Sequence, residues 1–213
     1  MKRSISTFLV TSFIALIFVG LSFGQSVSKY SYQAQKALIP ADLGQVYLGM
    51  PLKDLAARID ISKAEADDRF EYLQLEIPYE KGSITSLAIR VHGLSEEQTK
   101  ALLVEESVTK RSSDGTAYNE TVKRPKTGSI SGGIVYAMYI EFRKGFDLRS
   151  WAEKAYGKGE IRPKDDPYHF FDQQWMKRSS DGLGWTIRVF YEEEGRTLQL
   201  LGRIPGTEWD PEA

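Results

Sequence analysis

The stretch LQLEIPYEKGSITSLAIRVH, residues 73–92, decides the fold. Leu73, Leu75 and Ile77 alternate with Gln74 and Glu76, and Leu87, Ile89 and Val91 alternate with Ser86, Ala88, Arg90 and His92. A period of two, with one apolar and one polar face, marks antiparallel strands covered on one side only. YEKGS between the two runs supplies a hairpin turn. Arg90 and His92 therefore belong to the polar face. The same parity in WTIRVFY, residues 185–191, places Arg188 and Phe190 on such a face beside Thr186.

Upstream, QVYLGMPLKDLAARI (residues 45–59) predicts a short strand over 45–48, a glycine, and then a helix. Pro51 suits a first helical turn, where its missing N–H costs nothing. Leu52, Leu55, Ala56 and Ile59 form one apolar stripe at i, i+3, i+4 and i+7, and Lys53, Asp54 and Arg58 take the wet side. Downstream, SEEQ (residues 95–98) is a capping box that predicts a helix through residue 106. IVYAMYIEF (134–142) is the most apolar strand candidate after the N-terminal segment. Asp147 is an N-cap for LRSWAEKAY, whose Leu148, Trp151, Ala152 and Ala155 repeat the stripe before Gly157. Further strands are expected around Trp175, at 185–191 and at 197–204.

The hexapeptide KRSSDG occurs twice, at residues 110–115 and 177–182. Aligning the chain on these copies brings almost nothing else into agreement. Matching Gly49 to Gly145 instead places Leu52 on Leu148, Leu55 on Trp151 and Ala56 on Ala152. A slip of two residues then lays IRV (89–91) on IRV (187–189). The expectation is an α+β fold of two tandem related units, each a short amphipathic helix packed on an antiparallel sheet. They would span 42–124 and 134–206, with a lead-in at 25–41, a linker at 125–133 and a tail at 207–213. KRSSDG is then a turn used twice.

The run VYLGMPLKDLAARI resembles the opening of outer-membrane assembly lipoproteins of the SmpA/OmlA type. Two such units in tandem are similar to the β-lactamase-inhibitor protein architecture. Gly49 and Met50 carry the likeness, and Gly145 and Phe146 repeat it more loosely. The chain has no lipobox cysteine and no disulfides of the inhibitor kind. What the resemblance implies is a helix on one face of an antiparallel sheet whose other face is free to meet a protein partner.

Lys2 and Arg3, the apolar run of residues 8–23, and Ser22 and Gly24 at the −3 and −1 positions have the pattern of a signal peptide over residues 1–24, cleaved after Gly24. Membrane attachment follows only if that segment is retained. Removing Lys2 and Arg3 from the 28 basic residues leaves 26 against 29 acidic, a balance that argues against nucleic-acid binding. The chain has no cysteine, which removes thiol catalysis, cysteine-based zinc sites and a lipid anchor on an N-terminal cysteine. The expected setting is the bacterial periplasm or the exterior.

No nucleotide-binding glycine loop and no nucleophile elbow is present, and no cofactor is expected. The candidate partner-binding residues are Arg90, His92, Arg188 and Phe190 on the polar face, with Tyr168, Phe170 and Phe171 in a loop beside Pro167. The alternative for Phe170 and Phe171 is that they plug the sheet. Asp165, Asp166, His169 and Asp172 fall within eight residues and are weak metal-ligand candidates, at a spacing that matches no defined loop. The leading expectation is an exported non-enzymatic protein-binding module of the cell envelope, its partner another envelope or extracellular protein. The alternatives are a hydrolase or metal-dependent enzyme centred on His169 and its aspartates, and a small-ligand carrier.

Overall fold

The hairpin of residues 73–92 forms as its alternation dictates, in a computed structural model that describes residues 29–69, 72–166, 171–191 and 196–203. The described helices are α1 (Tyr32–Gln35), α2 (Leu52–Ala56), α3 (Glu96–Leu102) and α4 (Leu148–Tyr156). The strands are β1 (Glu65–Asp67), β2 (Leu73–Ile77), β3 (Ile84–His92), β4 (Leu103–Arg111), β5 (Ala117–Pro125), β6 (Ile134–Phe142), β7 (Glu160–Ile161), β8 (Gln173–Arg178), β9 (Gly184–Tyr191) and β10 (Arg196–Arg203). All ten join one sheet in the order β4-β5-β1-β2-β3-β6-β10-β9-β8-β7, each neighbour antiparallel to the next. No helix among the described residues is long and apolar enough to cross a membrane.

Alternation puts one face of this sheet in the core. Reading across it, Leu75, Ile89, Met138, Leu200, Ile187 and Trp175 are successive cross-strand partners, and all six are buried. The elements that cover this face contribute Leu52 and Leu55 from α2 and Leu148, Ala152 and Tyr156 from α4. Each fully buried aliphatic side chain contributes roughly 1.5–3 kcal/mol from area removed from water. The centre of this six-residue row is the Met138–Leu200 pair. Outward from it the partners are Ile89 then Leu75 on one side, and Ile187 then Trp175 on the other.

Several expectations change. No strand forms over residues 45–48. The buried side-chain amide of Gln35 takes the place of a strand partner there, donating to Leu48 O at 2.9 Å and accepting from Leu48 N at 3.0 Å. The lead-in segment is thereby part of the core, with Tyr30, Ile39 and Leu43 buried and Leu38 O accepting from the Tyr156 hydroxyl at 2.9 Å. The helix opened by SEEQ has its capping box, Ser95 with Gln98, yet stops at Leu102. Residues 103–111 become β4 because nine residues of β5 pair with them. α2 also ends early, at Ala56.

Both KRSSDG copies close hairpins, β4–β5 and β8–β9, with one geometry. In the first, Ser112 N donates to Thr116 O and Gly115 N to Ser112 O, and Asp114 accepts from Ser112 Oγ and Thr116 N. In the second, Ser179 N donates to Leu183 O and Gly182 N to Ser179 O, and Asp181 accepts from Ser179 Oγ and Leu183 N. The glycines sit at φ 87° and 90°, where a side chain would be strained. Only the second aspartate does more: its other oxygen accepts from Ser31 N at 3.0 Å and so ties down the start of α1.

Candidate functional site

The polar face of the sheet carries no covering layer among the described residues, and its side chains are mostly half-buried by their neighbours. Arg90 projects from β3 and Arg188 from β9. Antiparallel register places Gln74 directly beside Arg90 and Gln174 directly beside Arg188. Each glutamine oxygen accepts from the arginine Nε, at 3.1 Å for Gln74 and 2.9 Å for Gln174.

Aromatic rings complete each seat. The Arg90 guanidinium lies 4.5 Å from the Tyr72 ring centre and 4.7 Å from that of Tyr139. Arg188 lies 5.5 Å from the Phe171 ring. Such stacking contributes roughly 0.5–2 kcal/mol and fixes the guanidinium plane. Tyr139, on β6, sits between the two arginines, its cross-strand neighbours being Ala88 and Gln199. Burial raises the Tyr139 pKa, while Arg90 and Arg188 both pull against that rise. Among the described residues neither arginine makes a further hydrogen bond or an ion pair.

The other predicted residues are placed as follows. His92 ends β3 with its ring edge-on to Tyr136, centroids 6.2 Å apart. Tyr136 is there because the β3–β6 register shifts between Arg90 and Val91 and skips it. Phe190 is half-buried on β9, opposite Thr197. Phe171 is 2% exposed, under the guanidiniums of Arg162 and Arg188. It is a plug and a platform for Arg188, not an anchor available to a partner. Tyr168, Phe170 and His169 lie outside the described residues, as do the segments 1–24 and 207–213.

The aspartates expected near His169 have separate roles. Asp165 is exposed, and Asp166 faces the Arg162 guanidinium at 3.6 Å. Asp172 is buried and accepts from Tyr191 N at 2.6 Å, tying β8 to the end of β9. No group of three or more metal-capable side chains occurs among the described residues. Two clefts lie at opposite ends of the β2–β3 hairpin. One of about 360 Å³ is lined by Tyr72, Leu94 and Lys100, the other of about 650 Å³ by Arg58, Tyr79 and Lys81.

The arginines were legible from parity. Their partners Gln74, Gln174 and Tyr139 were not singled out, although Gln74 and Gln174 hold the same alternating position as the arginines they meet. Comparison with known proteins finds no matching family, no matching curated protein and no matching solved structure.

Proposed function

We propose that this chain is an exported, non-enzymatic protein-binding module of the bacterial cell envelope, whose polar sheet face receives a protein partner. The observation that carries the reading is the pair of arginines on this face, each already held by a glutamine and by aromatic stacking, its Nη donors without a hydrogen-bond partner among the described residues. Interfaces draw their energy from a few ordered aromatic and arginine side chains, and side chains fixed beforehand lose little entropy on binding. The N-terminal segment with the pattern of a signal peptide supports export.

The proposal includes two related units. Supporting this, Gln74 and Arg90 correspond to Gln174 and Arg188 under a two-fold axis through the Met138–Leu200 pair. The same axis relates Leu75 to Trp175 and Ile89 to Ile187, and in chain order α2 precedes β2 and β3 as α4 precedes β8 and β9. In this reading β6 closes the first unit, so the boundary falls after residue 142 and not at 125–133. The α3–β4–β5 segment is an insertion without a counterpart.

A photo-cross-linker at Thr186, on the polar face, tests the reading against one at Lys154, on the outer side of α4. Cross-linking in the native envelope should give one protein adduct from Thr186 and none from Lys154. Adducts of equal yield from both positions, or none from Thr186, would refute it.

A further inference from the structure

Resting on the reading of the polar sheet face as a docking surface, we infer that its occupant is an acidic protein segment carrying at least two carboxylates. Arg90 and Arg188 stand on β3 and β9, three strand spacings apart, and their cross-strand rows are offset by two residues. Strand spacing and rise then put their Cα atoms about 16 Å apart. The Nε of each is turned to a glutamine on the strand away from the other arginine, so one carboxylate does not serve both. In an extended chain the Cα separation corresponds to about four or five residues.

Charge complementarity selects the class. Between the two arginines lie Ala88, Ala137, Tyr139, Gln199, Leu201 and Thr186, none of them charged. The acids on the same face stand toward its margins and are engaged: Glu65 and Asp67 on β1 pair with Lys110 and Arg69 at 2.8 and 2.7 Å, and Glu160 on β7 faces Arg162 at 4.0 Å. Glu141 accepts from Ser86 Oγ at 2.8 Å, and Glu76, which receives the Gln74 amide at 3.5 Å, lies beyond Ala88. Each guanidinium uses its Nε on glutamine; Arg90 also stacks on two rings, Tyr72 and Tyr139, and Arg188 on one, Phe171. The planar pair of Nη donors therefore remains as the outward edge. That edge matches a carboxylate bidentately, and charge-assisted pairs of this kind are about twice as strong as neutral ones. The half-buried Ala88, Tyr139 and Leu201 between the arginines suit the uncharged residues of such a segment.

The test is an NMR titration of the full mature chain with a short peptide bearing two glutamates about five residues apart in a Ser/Thr background. The controls are the same peptide with glutamine for glutamate, and vesicles containing anionic phosphatidylglycerol. The expected result is movement of the Nε–Hε signals of both arginines and of amides in β6 and β10, weakened by salt. Affinity should fall roughly tenfold in Arg90→Gln and again in Arg188→Gln, and less in the Lys variants, which keep the charge and guard against misfolding. Equal binding of the glutamine peptide, no binding of the acidic one, or binding of the vesicles in its place would overturn the inference. A Thr186 adduct that persists undiminished in the Arg90→Gln/Arg188→Gln protein would retain the docking surface and remove the acidic occupant. Loss of any face-specific adduct from the wild type removes both.

Discussion

Gln35 supplies a demanding test of how the N-terminal segment is held. Its side chain and Leu48 are both fully buried, and its amide makes two hydrogen bonds to the Leu48 backbone, at 2.9 and 3.0 Å. Gln35→Ala leaves a buried N–H and a buried C=O without partners. Each such orphaned group costs about 1–3 kcal/mol, so the expected loss is about 4 kcal/mol. For a chain of this size that corresponds to a fall in Tm of roughly 10 °C. Gln35→Met refills the volume without restoring either bond and should lose nearly as much. Gln35→Glu can accept from Leu48 N but buries a charge against Leu48 O, so at neutral pH it should be the worst of the three. Urea denaturation followed by tryptophan fluorescence reads the series. If Gln35→Met lies within about 1 kcal/mol of the wild type, well below the cost of two orphaned groups, the hydrogen-bond account is wrong and Gln35 is only filler.

Other outcomes follow from the same geometry. Gly82 sits at φ 58° with a Cβ position only 2.3 Å from the Asp42 carboxylate, so Gly82→Ala should displace Asp42 from Ser83. By equilibrium unfolding it should cost about 2–3 kcal/mol. Asp114→Asn and Asp181→Asn change the same letter of the same hexapeptide, yet only the second should lower the urea midpoint, because only Asp181 also holds Ser31 N. Equal effects would contradict the tie. Hydrogen bonds from the Ser83 N–H and hydroxyl lower the Asp42 pKa. For Asp181, burial works upward but is outweighed by bonds from Ser179, Ser31 and Leu183, leaving it lowered too. Their unfolded pKa is about 3.9, so the stabilisation is complete above that value and lost as pH falls through the folded pKa. The urea midpoint should therefore drop below about pH 4, and less steeply in Asp42→Asn/Asp181→Asn; an unchanged acid slope would refute the assignment.

What could be read from the letters divides along a physical line. β2, β3 and β6 were legible because burial on one face imposes alternation, as at Leu73, Leu75 and Ile77. α4 was legible because Asp147 caps it, accepting from Ser150 N at 3.0 Å, and Gly157 ends it. β4 was not, because its side chains are largely exposed on both faces and only pairing with β5 makes it a strand. Gln35 was invisible for a different reason: nothing local tells a buried glutamine from a wet one until Leu48 is placed beside it. The same holds for the candidate site. Parity put Arg90 and Arg188 on the polar face, but the lateral register that seats Gln74, Gln174 and Tyr139 beside them is a property of six strands together.

The central claim, that a partner docks on the polar face through Arg90 and Arg188, is tested most directly by one yield. It is that of the Thr186 cross-linked adduct in the native envelope, compared between wild type and Arg90→Gln/Arg188→Gln proteins of equal abundance and unchanged Tm. The prediction is a loss of tenfold or more, on the order of one pair of charge-assisted contacts. An adduct of undiminished yield in the double variant would contradict it.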